Sequence, residues 1–99
     1  MTTANITLDD MIRTLANDVR AQVRRHDMHT AMREALTDLL LDPATTEEEK
    51  ETYQDMHIRE EWVSCEISRK LDHMRNALRE LRVARGDENV DSFHPEMGI

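Results

Sequence analysis

One uninterrupted segment dominates this chain: residues 46–86 read TEEEKETYQDMHIREEWVSCEISRKLDHMRNALRELRVARG. No proline or glycine precedes Gly86 in it, so no residue interrupts a helical hydrogen-bond ladder. Thr46 and Glu49 have the spacing of a capping box, in which each side chain binds the other residue's backbone N–H. Gly86 suits the left-handed residue that commonly follows a helix. The segment therefore predicts one helix at about residues 47–85.

This long helix has apolar residues on two of its sides. At about 100° per residue, eight of them share an arc of roughly 80° and are predicted to face the core. These eight are Tyr53, Met56, Val63, Ile67, Leu71, Met74, Leu78 and Leu81. A shorter stripe lies nearly opposite, where Ile58, Trp62 and Cys65 follow the i, i+4, i+7 spacing. Because a helix that is apolar on two sides needs neighbours on two sides, this stripe packs either inside the same bundle or against another chain.

Length and composition indicate the fold class. The chain has 99 residues, of which 34% are charged, with only two glycines and two prolines. This is the composition of a single all-α domain. A globule of this length is about 35 Å across, whereas forty helical residues span about 60 Å. We therefore predict an all-α helical hairpin or three-helix arrangement in residues 1–86. It is built on the long C-terminal helix and completes a bundle by dimerisation.

The segment ahead of the long helix changes its apolar face once. The apolar residues of segment 8–23 share one face, whereas those of segment 28–39 lie about 150° away from it. The sequence RRHDMHT between them contains polar residues that can cap a new helix. We predict helices at about residues 8–25 and 29–41, with a break near residues 26–29. The alternative is one uninterrupted helix whose two faces serve two different partners.

Charge is distributed unevenly along the chain, whose net charge is −8. Residues 47–66 contain eight acids and two bases, whereas residues 67–86 contain two acids and six bases. Two such helices paired antiparallel would bring opposite charges together. This pattern favours a symmetric homodimer, although the helix macrodipole favours the same distribution.

The last thirteen residues form an acidic tail. Residues 87–99 read DENVDSFHPEMGI and carry four acids, no base and no helical periodicity. Such a composition is typical of disorder. The alternative is a docking segment that uses the apolar side chains Phe93, Met97 and Ile99.

Glu60 lies near the centre of the predicted core face, where a carboxylate without a partner is costly. We predict that it forms a polar core layer with His26 or with an arginine of the first helix. A polar layer of this kind can fix the register of a helical assembly. His57 precedes Glu60 by three residues, a combination of ligand types found in di-iron bundles, but the order is reversed and the pair occurs once. We therefore predict no metal and no cofactor.

No motif indicates catalysis or nucleic-acid binding. Cys65 has Glu61 and Glu66 as helical neighbours rather than bases, so nothing activates a nucleophilic thiol. No nucleophile elbow or glycine-rich phosphate loop is present. Direct nucleic-acid contact is not expected, because the net charge is −8 and the chain has one tryptophan, one tyrosine and one phenylalanine. A single cysteine, without a long apolar run or a signal-peptide pattern, predicts a soluble cytoplasmic protein that does not contact membranes.

These observations predict a non-enzymatic protein–protein interaction module that acts as a small inhibitor, adaptor or regulator and forms a homodimer. Tryptophan is enriched among the residues that anchor interfaces. The predicted partner-binding residues are Ile58, Trp62, Cys65, Arg69, Phe93 and Met97. An alternative is an acidic protein that imitates nucleic acid and inhibits a DNA- or RNA-handling enzyme, as phage and mobile-element inhibitors can. A third hypothesis is a helical-bundle metal-binding protein.

Overall fold

The protein is all-helical. The structure is a computed structural model that describes residues 7–87 and 94–98. Helix α1 spans Leu8–Leu41, helix α2 spans Glu47–Arg85, and a short 3₁₀ helix spans Pro95–Gly98. The two long helices pack on each other, and the described residues contain no strand. The all-α prediction is confirmed, as is the single long helix that follows the first turn.

Both ends of α2 are capped as their residues predict. The Thr46 N–H donates to Glu49 Oε1 (3.1 Å) and the Glu49 N–H donates to Thr46 Oγ1 (3.2 Å), which completes a capping box. Gly86 has a φ of 92°. The N–H of Asp87 then donates to the carbonyl of Arg82 (3.0 Å), as in a Schellman motif. Local sequence therefore determines where α2 begins and ends.

Helix α1 is continuous where the sequence predicted a break. The predicted helices at about residues 8–25 and 29–41 are one helix, and the predicted break near residues 26–29 is wrong. No proline or glycine lies within α1, so its hydrogen-bond ladder continues through the polar segment. The described residues form two long helices, and the three-helix form of the prediction is not observed.

The prediction failed because it assigned the inward face of α1 by apolarity alone. In the second half of the helix, polar side chains take several inward positions ahead of the buried Leu36: His26, Thr30 and Arg33 are partly buried. Met28 and Met32, by contrast, are 53% and 40% exposed. The buried face of α1 therefore continues along the helix, without the change of face that the positions of the apolar residues indicated.

The turn between the helices is closed by its own polar groups. The Ala44 N–H donates to Asp42 Oδ1 (2.9 Å), and the Thr45 hydroxyl donates to Leu39 O (2.6 Å). Pro43 lies within the turn and cannot continue a helix. A turn this short returns the chain antiparallel to α1.

The chain divides into two compact units. The terminal unit consists of Met1–Val23 and Lys70–Ile99, and the turn unit consists of Arg24–Arg69. Most of the buried side chains among the described residues belong to the terminal unit. These are Ile12, Ala16, Val19, Leu71, Leu78, Pro95 and Glu96. In the turn unit, the buried residues are Leu36, Ser64 and Ile67.

The predicted core face of α2 is partly correct. Three of its eight residues are buried, namely Ile67, Leu71 and Leu78. Four more are partly buried, namely Tyr53, Val63, Met74 and Leu81. Met56 is 42% exposed, and its assignment to the core is wrong. The adjacent His57 is partly buried instead. In the turn unit, the inward face of α2 therefore contains both apolar and polar side chains, as that of α1 does.

Candidate functional site

One face of α2 in the turn unit leaves large apolar side chains in solvent. Ile58 is 51% exposed, and Trp62, one turn further on, is 69% exposed. Cys65 completes the series and is also exposed, and Arg69 follows it after another turn. We call these four residues the Trp62 face. Because an aromatic side chain typically buries about 150–250 Å², a largely exposed tryptophan offers apolar surface that another molecule can cover.

Charged side chains border the apolar part of this face. Glu61, Glu66 and Arg69 are exposed, and they line a shallow depression together with Trp62 and Cys65. Surfaces that bind proteins commonly have an apolar centre with a polar, solvent-accessible rim. The arrangement on α2 has this composition.

The other two residues predicted to bind a partner are not part of the turn unit. Met97 lies in the terminal unit and is 73% exposed. Phe93 lies outside the described residues, as does Ile99. A role for Phe93 and Met97 in binding therefore stays a prediction.

A polar layer lies inside the turn unit. Nδ1 of His29 on α1 contacts Oε2 of Glu60 on α2, and both side chains are 15% exposed. The observed partner of Glu60 is therefore His29, which lies one turn after the predicted His26. His26 is partly buried. That this layer fixes the register of the two helices stays a prediction.

A second histidine adds to the polar interior of this unit. His57 Nδ1 lies 3.3 Å from Glu61 Oε1, and its Nε2 lies 3.2 Å from Thr37 Oγ1 on α1. The hydroxyl groups of Thr30 and Ser64 are buried and have no hydrogen-bond partner among the described residues. The interior of the turn unit therefore contains polar groups beside the buried Leu36 and Ile67, and not all of these polar groups are paired.

The residues considered as metal ligands make these contacts with each other. His57 pairs with Glu61, and Glu60 pairs with His29. In the part of the chain that the structure describes, no group of three or more His, Cys, Asp or Glu side chains could hold a metal ion. The third hypothesis, that of a metal-binding bundle, stays a prediction.

In the terminal unit, three arginines hold the 3₁₀ segment. Arg20 on α1 donates to Glu96 O (2.6 Å), and Arg82 on α2 donates to Pro95 O (2.6 Å). Arg75 holds the Glu96 carboxylate through two bonds, Nε to Oε1 at 3.3 Å and Nη2 to Oε2 at 3.1 Å. Pro95 is fully buried and Glu96 is 3% exposed. We call Arg20, Arg75 and Arg82 the arginine site.

The Glu96 carboxyl group has a pKa below its ordinary value. Burial alone would raise this pKa, but the hydrogen bonds from Arg75 and from the backbone, with the positive charge of Arg75, lower it overall. The site therefore holds Glu96 as an ionised carboxylate at neutral pH.

A second group of ion pairs ties the helix ends of the terminal unit together. Arg85 bonds to Asp87 and, at 3.0 Å, to Asp9 near the start of α1. Arg82 Nε donates to the same Asp87 carboxylate at 3.0 Å. The hydrogen bonds from Arg85 and Arg82 lower the pKa of Asp87, and the bonds to Asp87 and Asp9 raise the pKa of Arg85.

Sequence reasoning missed the arginine site. The docking alternative named Phe93, Met97 and Ile99, of which Met97 is exposed and the other two lie outside the described residues. The segment 94–98 is instead held at Pro95 and Glu96. The available signal was the proline itself, because it has no N–H that would need a partner when buried. Nothing in the spacing of Arg20, Arg75 and Arg82 relates them to this segment.

Comparison with protein-family models, with curated proteins and with solved structures finds no match to this chain. No helix among the residues described is long and apolar enough to cross a membrane. Function must therefore be argued from the surfaces of the two units.

Proposed function

We propose that this chain is a non-enzymatic protein–protein interaction module whose binding surface is the Trp62 face. The observation that carries the proposal is the 69% exposure of Trp62 between two further exposed residues of the same stripe, Ile58 and Cys65. Binding sites commonly contain a central aromatic anchor surrounded by residues that contribute less but exclude water. As a self-associating module of this kind, the chain acts as a small inhibitor, adaptor or regulator.

The binding partner that we propose for the Trp62 face is a second copy of the chain. The face contains Arg69 and is bordered by Glu61 and Glu66, so charges of both signs lie at this surface. Self-complementarity is what a twofold-symmetric interface requires. When two copies of α2 pair antiparallel with Trp62 of one copy against Cys65 of the other, Arg59 of each copy lies near Glu66 of the other. Both charged residues are exposed and available for this pairing.

The charge pattern of the helix sequence favours the same partner. Residues 47–66 have a strong excess of acids and residues 67–86 an excess of bases. An antiparallel second helix would place each segment opposite the other. Because both apolar and charged groups contribute, salt is expected to weaken this contact without abolishing it.

The test is the effect of Trp62→Ala on the solution mass, measured by light scattering on a size-exclusion column at low and high salt. The wild-type chain is expected to have twice the 11.6 kDa mass of one chain, and the variant is expected to have that single mass. Loss of an interface anchor typically costs about 2 kcal/mol or more of binding energy. Circular dichroism should show the wild-type helix content, because the exposed ring does not support the core.

Leu41→Ala is the matched control. Leu41 is 76% exposed and lies in the same unit, but on α1. Its replacement should leave the mass unchanged. A dimer that persists in Trp62→Ala would exclude the face as the dimer contact, and a monomeric wild-type chain would exclude the second copy as its occupant. A loss of helix equal to that of Leu71→Ala would place Trp62 in the core.

The surface charge of the turn unit favours a second candidate function, an acidic inhibitor that imitates nucleic acid. Eleven acidic side chains of this unit are exposed, against four basic ones. The exposed acids are Asp27, Glu34, Asp38, Asp42, Glu47, Glu48, Glu49, Glu51, Asp55, Glu61 and Glu66. Such a surface attracts the basic sites of DNA- and RNA-handling enzymes, and that attraction falls steeply with salt.

Competition with DNA distinguishes this candidate from the first. The protein should displace DNA from a basic DNA-binding domain at low salt, and high salt should abolish the displacement. Trp62→Ala should leave the displacement unchanged, because the aromatic ring contributes no charge. Failure to displace DNA at low salt would dispose of this candidate.

A further inference from the structure

The arginine site has the contacts of a peptide-binding site. Two of its guanidinium groups bind main-chain carbonyls, those of Pro95 and Glu96, and the third binds the Glu96 carboxylate. Bonds to main-chain carbonyls fix the path of a peptide whatever its side chains are. The two-bond contact with the carboxylate adds selection for an acidic residue, because the arginine fork matches carboxylate geometry.

The site also selects the residue that precedes the glutamate. Pro95 is fully buried, and its carbonyl accepts a hydrogen bond from Arg82. A proline can be buried here without leaving an N–H unpaired, and its fixed ring reduces the conformational entropy that is lost on docking. Met97, which follows the glutamate, is 73% exposed and contributes little selection. His94, which precedes the proline, is also exposed, but its Nδ1 lies 3.2 Å from Arg75 Nη2.

The arginine side chains of the site are largely buried, so their N–H groups need hydrogen-bond acceptors within the protein. The side chains of Arg75 and Arg82 are only 19% and 11% exposed, and Arg20 reaches the same segment from α1. The Asp87 carboxylate accepts one of the hydrogen bonds of Arg82, from its Nε. Arg20 also donates to Asn17 Oδ1 (3.0 Å), on its own helix. The segment 94–98 adds two carbonyl oxygens and one carboxylate as acceptors, all of which a short peptide can supply.

We propose that the arginine site is a recognition site for a Pro-Glu peptide segment. Residues 94–98 are its intramolecular occupant, and a Pro-Glu segment of another protein binds the site when that occupant is withdrawn. A short tether holds the occupant at an effective concentration of about a millimolar, so a partner must compete with it. This site lies in the terminal unit and is a function additional to that of the Trp62 face.

The test uses a fluorescent synthetic peptide, His-Pro-Glu-Met-Gly, and the full chain carrying Pro95→Ala and Glu96→Gln. These replacements remove the anchor and the carboxylate of the occupant and leave all three arginines in place. Anisotropy should show that the double variant binds the peptide. The wild-type chain should bind the peptide at least about ten-fold more weakly than the double variant, because the tethered segment competes for the site.

The matched control peptide, His-Glu-Pro-Met-Gly, has the same composition and charge with proline and glutamate exchanged. The double variant should bind it much more weakly than the first peptide. Equal binding of the two peptides would overturn the proposal, because the site would then recognise charge alone. The proposal is equally overturned if a double variant with wild-type helix content binds neither peptide, or if adding Arg75→Gln leaves binding intact.

A second measurement uses the wild-type chain and tests the proposal even if the double variant does not fold. Saturating the wild-type chain with the first peptide should move the methyl NMR signal of Met97, because the segment that carries it leaves the site. The exchanged peptide at the same concentration should leave the signal in place. A Met97 signal that the first peptide does not move would overturn the proposal.

Discussion

The terminal unit and the turn unit are formed by the same two helices, yet they bury different side chains. In the terminal unit, Ile12, Val19 and Leu78 are fully buried. In the turn unit, the interior contains the paired side chains of His29 and Glu60. Apolar burial is the main driving force of folding, whereas a buried ion pair contributes little net stability. We therefore expect the terminal unit to contribute more of the stability than the turn unit.

The two units also differ at their surfaces. The described residues of the terminal unit carry seven acids and seven bases, and several of them form ion pairs between elements, such as Arg85 with Asp9. The turn unit carries twelve acids and six bases and exposes Trp62. A unit that leaves apolar and acidic groups in solvent gains little stability from them. The exposed Trp62 and the excess of acids thus distinguish the surface of the turn unit from that of the terminal unit.

Leu78→Ala is expected to have the largest effect of the replacements that test this contrast. Leu78 is fully buried in the terminal unit, and its truncation should lower the free energy of unfolding by about 2–5 kcal/mol. Leu41→Ala, at a 76% exposed position of the turn unit, should change it by less than about 0.5 kcal/mol. Urea unfolding measures both. Similar losses at the two positions would show that Leu78 is not part of the core of the terminal unit.

The parts of the fold that depend on neighbouring residues were predictable from sequence. The capping box of Thr46 and Glu49 and the cap at Gly86 set the ends of α2, because each cap involves residues only a few positions apart. The continuity of α1 was missed because its inward positions in the turn unit are polar. A partly buried Thr30 or Arg33 resembles a surface residue until its neighbours on the other helix are known.

Glu96→Gln is expected to have an intermediate effect and tests how charge contributes to the terminal unit. Loss of the charged bonds with Arg75 should cost about 1–3 kcal/mol of unfolding free energy at neutral pH. The folded-state pKa of Glu96 lies below its ordinary 4.5. Its contribution is therefore complete above that pH and is lost as the pH falls through the lowered pKa.

The difference in urea stability between wild type and Glu96→Gln should accordingly shrink in acid. Taking the difference isolates Glu96, because Asp87, Asp10 and Glu49 also have lowered pKa values and titrate in both proteins. A difference that stays constant from neutral to acid pH would show that the ionised carboxylate does not stabilise the docked segment.

The two candidate sites were accessible to sequence reasoning to different degrees. The Trp62 face follows from the spacing of Ile58, Trp62 and Cys65 on one helix, so its residues were predicted together. Its exposure was not predictable, because the same stripe could pack inside a bundle. The arginine site joins Arg20 on α1 to Arg75 on α2 through a third segment. Only the packing of separate elements brings such residues together.

Met32→Lys is expected to have the smallest effect and tests the assignment of the inward face of α1. Met32 is 40% exposed. Lysine is a good helix former whose aliphatic stem can cover the same surface, so the free energy of unfolding should change by less than about 0.5 kcal/mol. Thr30→Lys places the same charge at a partly buried position and should cost about 1–3 kcal/mol, because the ammonium group loses water. A larger loss of unfolding free energy for Met32→Lys than for Thr30→Lys would show that the apolar face of α1 is the buried one in this unit. The turn unit would then have an apolar interior like that of the terminal unit.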